Sequence, residues 1–313
     1  MTLLKQDEIK EAIPHRYENL LVDEVDIDEQ SETLSGTLSL TISEEDALNR
    51  QIFFTKTDAS TASITVPVYA EIMALASIVS SRSRLKDGYT TIFAGIANFK
   101  RHNFHALGDT LRGKMSLVTD RKGFYKYEGH LENDAGLLCE GNLTAFYTPS
   151  ENLASEKPDD LVKNEKEVLC TVSKENRAKE PCMFICDALN EVSDDGFVAQ
   201  YEYPADHPIV KGHFPDYPLM MGVMQWMSVE DSFCAYLEQQ NKHGEQRYKC
   251  SFKLIDVYGR SVADLTDVEL EASINCDAKA NQVNSLSVRK IMFKKIVNPG
   301  ERFYIHATAI EAL

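Results

Sequence analysis

Apolar residues along this chain fall into two long runs and a series of short alternating ones. In residues 66–84, VPVYAEIMALASIVSSRSR, Ile72, Leu75, Ala76 and Val79 recur at 3-, 4- and 7-residue spacing, which is one face of a helix, and Pro67 suits its first turn. Residues 223–237 make a second apolar run of helical length directly after Gly222. Ahead of the first run, residues 9–25 read as a short helix, a proline-marked turn and a strand over 20–27, followed by a second strand over 33–40. Behind it, the pattern predicts strands over 91–99, 110–119, 123–132 and 136–147. Residues 151–167 are polar, with proline, serine and many charges, and read as a linker.

Past the linker the pattern returns at a period of about 150–160 residues. Residues 184–187 echo 20–23, residues 198–203 echo the second strand, and the helix over 223–237 echoes the first one. Two α+β domains therefore follow, 1–150 and 168–313, each a helix with antiparallel strands. Phe293-Lys294-Lys295 with Pro299-Gly300-Glu301 also repeats Phe99-Lys100-Arg101 with Gly108-Asp109. This second copy lies close to the end of the chain. The strands that follow the first copy must here be shortened, or supplied earlier by residues 247–274.

Composition narrows the function classes. The 313 residues suit two domains of about 150, each able to bury its own core. A net charge of −16 argues against a general binder of nucleic acid or anionic membrane, because both need positive charge to meet phosphate. Seven cysteines, odd in number and without a C-x-x-C pair, do not make a disulfide framework, and Cys182 and Cys186 read as buried or half-buried thiols. The start of the chain lacks the layout of a signal peptide, and no apolar run reaches the roughly 20 residues that span a bilayer, so a cytoplasmic address is expected.

The stretch from Lys211 to Asp231, KGHFPDYPLMMGVMQWMSVED, carries the chemistry. A strand end runs through Gly212-His213-Phe214-Pro215 into a tight connection and then the second helix, so His213 faces a helix start. There the free N–H groups and the positive end of the dipole favour negative charge, which an enolate-like intermediate presents. These residues resemble the bacterial β-hydroxyacyl-ACP dehydratases FabA and FabZ, whose signature is roughly G-H-F-P-x-x-P-V-M-P-G-x-x-x-x-E/D-A-x-x-Q. Gly212, His213, Phe214, Pro215, Pro218, Met220 and Gly222 match it without a gap. Met221 stands at the family's proline and Met227 at its catalytic carboxylate, so this half has a base and no acid.

The first half resembles the same family. Ile13-Pro14-His15-Arg16-Tyr17 and Leu20-Leu21-Val22-Asp23 match its opening motif; His15 and Arg16 could touch a ligand, but the resemblance implies a largely structural segment rather than a catalytic one. Glu71-Ile72-Met73-Ala74 aligns with the family's E-A-M-A and puts Glu71 at the acid. The competing reading makes Glu71 a first-turn charge facing solvent. Fourteen residues before Glu71, where the family has its histidine, stands Thr57.

The resemblance implies two tandem hotdog domains, each a long helix wrapped by an antiparallel sheet, packed as a pseudo-dimer. In the family each site takes histidine from one subunit and carboxylate from the other. Glu71 and His213 would then complete one site, while Thr57 and Met227 mark a dead one. His213 would act as base, Glu71 as acid, and the Gly222 N–H would hold the thioester carbonyl, giving a trans-2-enoyl product from a 3-hydroxyacyl thioester carried by acyl carrier protein or CoA. Glu230, three residues after Met227, is the alternative acid, and Asp231 replaces the family's glutamine. Lys100, Arg101, Lys294 and Lys295 are weak candidates for docking the carrier protein, against the plainer reading of solvated charges. His207 reads as a surface or strand-end residue, and His102 and His105 as loop residues. No P-loop, G-x-G-x-x-G or metal motif is present, so no cofactor beyond the carrier arm is expected. Two other functions remain open, a hotdog isomerase or thioesterase and a non-catalytic protein that binds acyl chains or stabilises a partner; assembly beyond the pseudo-dimer is equally open.

Overall fold

Helix α2 (Val66–Ser80) lacks a polar face, and every one of its 15 residues is buried. Such a helix can only sit inside. In the computed structural model, which describes residues 2–28, 34–56, 62–121, 123–153, 161–175, 177–276 and 280–313, it is the axis of the first half. Around it run β1 (Thr2–Lys5), α1 (Gln6–Ala12), β2 (Glu24–Asp28), β3 (Ser35–Thr41), β4 (Phe54–Lys56), β5 (Ala62–Ile64), β6 (Tyr89–Arg101), β7 (Thr110–Arg121), β8 (Phe124–Asn133) and β9 (Gly136–Pro149). The expected one-sided helix is buried all round because sheet strands cover one side and the second helix touches the other. Ser77 and Ser80 are tolerated there by donating their hydroxyls to the Met73 and Ala76 carbonyls, 2.8 and 2.7 Å away.

The second half repeats this plan with β10 (Cys170–Thr171), β11 (Ala188–Val192), β12 (Gly196–Glu202), α3 (Gly222–Gln239), β13 (Gly244–Asp256), β14 (Ser261–Ile274), β15 (Gln282–Phe293) and β16 (Arg302–Ala312). Both halves are hotdogs, and their apolar side chains merge into one contiguous core. Among the described residues β4 and β5 pair in a small sheet of their own, and the other strands form one antiparallel sheet in the order β1-β2-β3-β7-β8-β9-β6-β15-β14-β13-β16-β12-β11-β10. Of the expected linker, residues 154–160 lie outside the described residues. Its end is tied to the second half, where the Asn164 and Lys166 N–H groups donate to the Val257 carbonyl and the Tyr304 hydroxyl. No helix among the described residues is long and apolar enough to cross a membrane.

The displaced motif near the chain end now has a physical account. In the first half the strand after the helix, β6, takes the inner edge, and the meander β7-β8-β9 follows it in sequence. In the second half β13 and β14, from the stretch that includes residues 247–274, come first, and the motif strand β15 takes the inner edge third. The occupied sheet positions are the same. Sheet pairing depends on which strands lie side by side, not on the order in which the chain visits them. A pair of adjacent antiparallel strands can therefore precede or follow the motif strand.

The seam between halves is the pairing of β6 with β15, with Ile96 opposite Ile291 and Phe99 opposite Val288. Beneath it Trp226 of α3 stands edge-on to Phe99 at 5.0 Å and donates its Nε1–H to the Ser285 hydroxyl at 2.9 Å. At Gly95 a Cβ would collide with the Ile291 backbone carbonyl across this seam. Gly95→Ala should therefore lower stability by about 1–3 kcal/mol, the usual cost of overpacking. Urea unfolding at neutral pH measures it, and an unchanged midpoint would show that the seam tolerates the extra methyl.

Candidate active site

The loop that carries His213 is held by its own backbone. The Leu219 N–H donates to the His213 carbonyl at 3.0 Å, the Tyr217 N–H to the Phe214 carbonyl at 3.1 Å, and the Met220 N–H to the Val297 carbonyl at 2.8 Å. His213 Nδ1 lies 3.0 Å from the Leu219 carbonyl oxygen, which can only accept, so Nδ1 carries the proton and Nε2 the lone pair. Directly after this loop Gly222 opens α3, where the first-turn N–H groups have no intrahelical acceptor.

Onto the same loop docks the opening segment of the first half. The Arg16 N–H donates to the Gly212 carbonyl at 3.0 Å, and Asn19 donates through its side chain to the Ile209 carbonyl, also at 3.0 Å. The Arg16 guanidinium turns back to the carbonyls of Lys10, Ile13 and His15, which locks the segment. A Cβ at Gly212 would run into Asn19 and the Arg16 carbonyl, so this close approach requires glycine. The consequence is the placement of His15. It is buried, 4.9 Å ring to ring from His213 in an edge-on contact, with Nε2 3.5 Å from Glu71 Oε1.

Glu71, His15 and His213 thus converge, with one ligating atom from each lying within 4.8 Å of the others. All three line a cavity of about 470 Å³ whose walls include Ala74, Ile78, Phe93, Phe146, Leu219 and Phe293, and which reaches Gly222. That space is of the size that holds a small molecule. Glu71 does not face solvent; it is 4 % exposed. Burial pushes its carboxyl upward, against the pull of His213. Burial likewise depresses His213 to about 4, helped by the neighbouring His15 and opposed by Glu71. His15 is held down at about 3 by burial and by Arg16. At neutral pH both imidazoles are uncharged. The opening motif singles out His15, but nothing in the motif signals that the fold brings this histidine onto the other half.

No family model matches the chain. Over 142 residues it is 30 % identical to the FabZ 3-hydroxyacyl-[acyl-carrier-protein] dehydratase of Bacillus velezensis, covering 45 % of this chain and 96 % of that protein. The chain belongs to the FabZ family. The FabZ of Psychrobacter arcticus is 28 % identical over 136 residues, 42 % of this chain and 90 % of that protein. Among solved structures, the dehydratase heterocomplex ApeI:P from Xenorhabdus doucetiae aligns over 46 % of this chain and 93 % of its own, with 19 % identity and a TM-score of 0.37. A variant of the fluoroacetyl-CoA-specific thioesterase FlK aligns over 40 % and 93 %, with 10 % identity and a TM-score of 0.32.

Within this FabZ-family chain the remaining candidates lie elsewhere. Thr57 is outside the described residues, and Met227 is buried in the core. The register that equates 20–23 with 184–187 sets Lys179 at the counterpart of His15. There Lys179 Nζ pairs with Asp231 at 2.7 Å and approaches Glu230 at 3.9 Å, and the space beside Thr55, Lys179 and Asp231 is only about 10 Å³. The pseudo-symmetric position is filled by an ion pair. Glu230 accepts the Ser285 N–H at 2.9 Å within this cluster and does not line the large cavity, which removes it as partner to His213.

The four basic residues do not form one patch. Lys294 and Lys295 line the cavity, paired with Asp264 and with Glu301 and Asp256. Lys100 and Arg101 sit at the far end of β6, seven and eight residues from Phe93 at the cavity, at most about 23–26 Å along an extended strand, and Arg101 pairs with Glu271. His207 is buried rather than superficial, because its Nε2 binds the Cys182 carbonyl at 2.8 Å. His102 pairs with Glu140 at 3.0 Å on an exposed loop, whereas His105 on the same loop is buried under Tyr69, whose hydroxyl accepts its backbone N–H at 2.7 Å.

Burial raises Glu230 from 4.5 to about 7, against the pull of Lys179 and the Ser285 N–H. Between these values the folded chain binds a proton that the unfolded chain has lost, so this group's contribution to stability falls as pH rises from about 4.5 to 7. The stability of wild type relative to Glu230→Gln should decline across that window. Urea titrations at several pH values read it, and a constant difference contradicts the assignment.

Proposed function

We propose that the chain is a 3-hydroxyacyl-thioester dehydratase with one composite site, Glu71 from the first half and His213 from the second. One observation carries this: a protonation-prone carboxyl and an imidazole lone pair face the same apolar cavity at the start of α3. The substrate's β-hydroxyl and α-hydrogen need an acid and a base held together away from water.

The chemistry follows from the protonation states. His213 Nε2 takes the proton α to the thioester, and the developing oxyanion is met by the Gly222 N–H at the helix start, where the dipole favours negative charge. Gly222 suits this place because a Cβ there would lie 3.2 Å from the Phe293 ring on the cavity wall. Glu71, whose carboxyl burial pushes towards the protonated form, donates to the departing β-hydroxyl, which leaves as water. The C–H and C–O bonds break and the C2–C3 double bond forms, giving the trans-2-enoyl thioester. A base as weak as His213 still serves because it gains the α-proton as Glu71 gives its own proton to the departing hydroxyl, leaving opposite charges that stabilise each other in a dry site. Passage of that proton back to Glu71 resets the site.

His15 is the positioning residue. Its ring fixes the Glu71 carboxyl on one side and the His213 ring on the other. The thioester arm enters along Lys294, Lys295 and Asn298, which share the cavity wall with Gly222. The arm's carrier is an acyl carrier protein or CoA.

His213→Ala and Glu71→Gln should each cut turnover of a 3-hydroxyacyl thioester by roughly 10²–10⁴-fold with an unchanged circular dichroism spectrum. Near-wild-type turnover in either would falsify the composite site. The acid limb of kcat/KM should fall near pH 4, where His213 becomes protonated in the free enzyme, and the alkaline limb should follow loss of the Glu71 proton. His15→Gln should lower kcat and move the alkaline limb. A rate loss without that movement would make His15 merely structural.

A further inference from the structure

We propose that His15, Glu71 and His213 form a binding site for a divalent transition-metal ion of the Zn²⁺ class. The site itself rests on geometry alone; its effect on turnover rests on the dehydratase reading above. Three donors of two chemical kinds, two imidazoles and one carboxylate, come together from both halves of the chain, all buried and all opening on the cavity. Their ligating atoms lie within 4.8 Å of one another. Tetrahedral donors at 2.0–2.2 Å from one ion stand about 3.3–3.6 Å apart, so closing the widest pair needs side-chain movement of up to about 1.5 Å.

The surroundings suit an ion as well as the donors do. His213 directs Nδ1–H to the Leu219 carbonyl at 3.0 Å, which fixes the ring and aims Nε2 at the cluster, the outer-shell bond that metal-binding histidines use. Nδ1 of His15 is a buried nitrogen with no hydrogen-bond partner among the described residues. Two nitrogens and one oxygen favour Zn²⁺ and its neighbours over Mg²⁺ or Ca²⁺, which prefer oxygen. Three protein ligands leave at least one position open towards the cavity. An ion there takes the lone pair of His213 and the carboxylate of Glu71, leaving neither an acceptor for the α-proton nor a donor for the hydroxyl. It should therefore block turnover in competition with substrate.

The test titrates Zn²⁺ into the EDTA-treated full chain by calorimetry and follows Tm in parallel, with Co²⁺ absorption as a probe of coordination. The expected result is one ion per chain, a Tm that rises with ion concentration, and affinity at least tenfold weaker in Glu71→Gln and in His213→Ala. Dehydratase activity should fall as the site fills and return with EDTA. Absence of heat and of any Tm rise overturns the proposal. So do equal affinities in wild type and both variants, which would place the ion elsewhere, such as at His102 and Glu140, and so does activity that rises with Zn²⁺. Ion binding by a chain without dehydratase activity upholds the site and sinks the function proposed above; dehydratase activity without ion binding does the reverse.

Discussion

Backbone pairing between β6 and β15 is the constraint on which the cavity depends. Two hotdogs joined there share one sheet, so their helices are brought against each other beneath the seam and bury their apolar surfaces together. Neither helix could stay exposed: α2 has no polar face, and α3 is buried from Val223 to Leu237. A cavity at the meeting of two halves follows from this packing, since the loop before α3 and the wall of α2 are held by a joint core. The Trp226–Phe99 contact, with one ring from each half, is the visible sign of that shared interior.

The two pseudo-symmetric positions are treated differently by electrostatics. In one, burial favours the neutral form of all three titratable groups, raising the acid and lowering the imidazoles. Groups that can be neutral survive in an apolar cavity without mutual neutralisation by a partner charge. In the other, Lys179 pairs with Asp231 and lies near Glu230, the two acids accept backbone N–H groups from Ile185 and Ser285, and little space remains. A buried ion pair needs such close packing and hydrogen bonding to offset its desolvation. The contrast gives each position a physical character, one open to a cavity, the other closely packed around an ion pair.

Much of this is legible from residues. The period of the chain, both helices, Glu71 and His213 as candidates, and residues 247–274 as the source of the missing strands can all be read off motifs and spacing, because each depends on local pattern. Element edges are less legible: residues 20–22 and 184–186 are buried but not in strands, since tertiary contacts rather than propensity hold them. Sequence reasoning assigned the opening motif a structural role and His207 a surface one. Neither reading anticipates the burial of His15 and His207, because burial of a single polar side chain depends on what folds over it.

What the chain's motifs dictate is therefore a doubled hotdog with a histidine at one helix start and a carboxylate inside another helix. What only the folded molecule decides is that these two meet, that His15 joins them, and that Glu230 and the Lys100–Arg101 pair lie apart from them. The reason is distance along the chain. Periodicity reports neighbours within a few residues, whereas Glu71 and His213 are brought together by a strand pairing and a loop docking that link opposite halves. Such contacts arise from shape and pairing in three dimensions, and no local pattern encodes them.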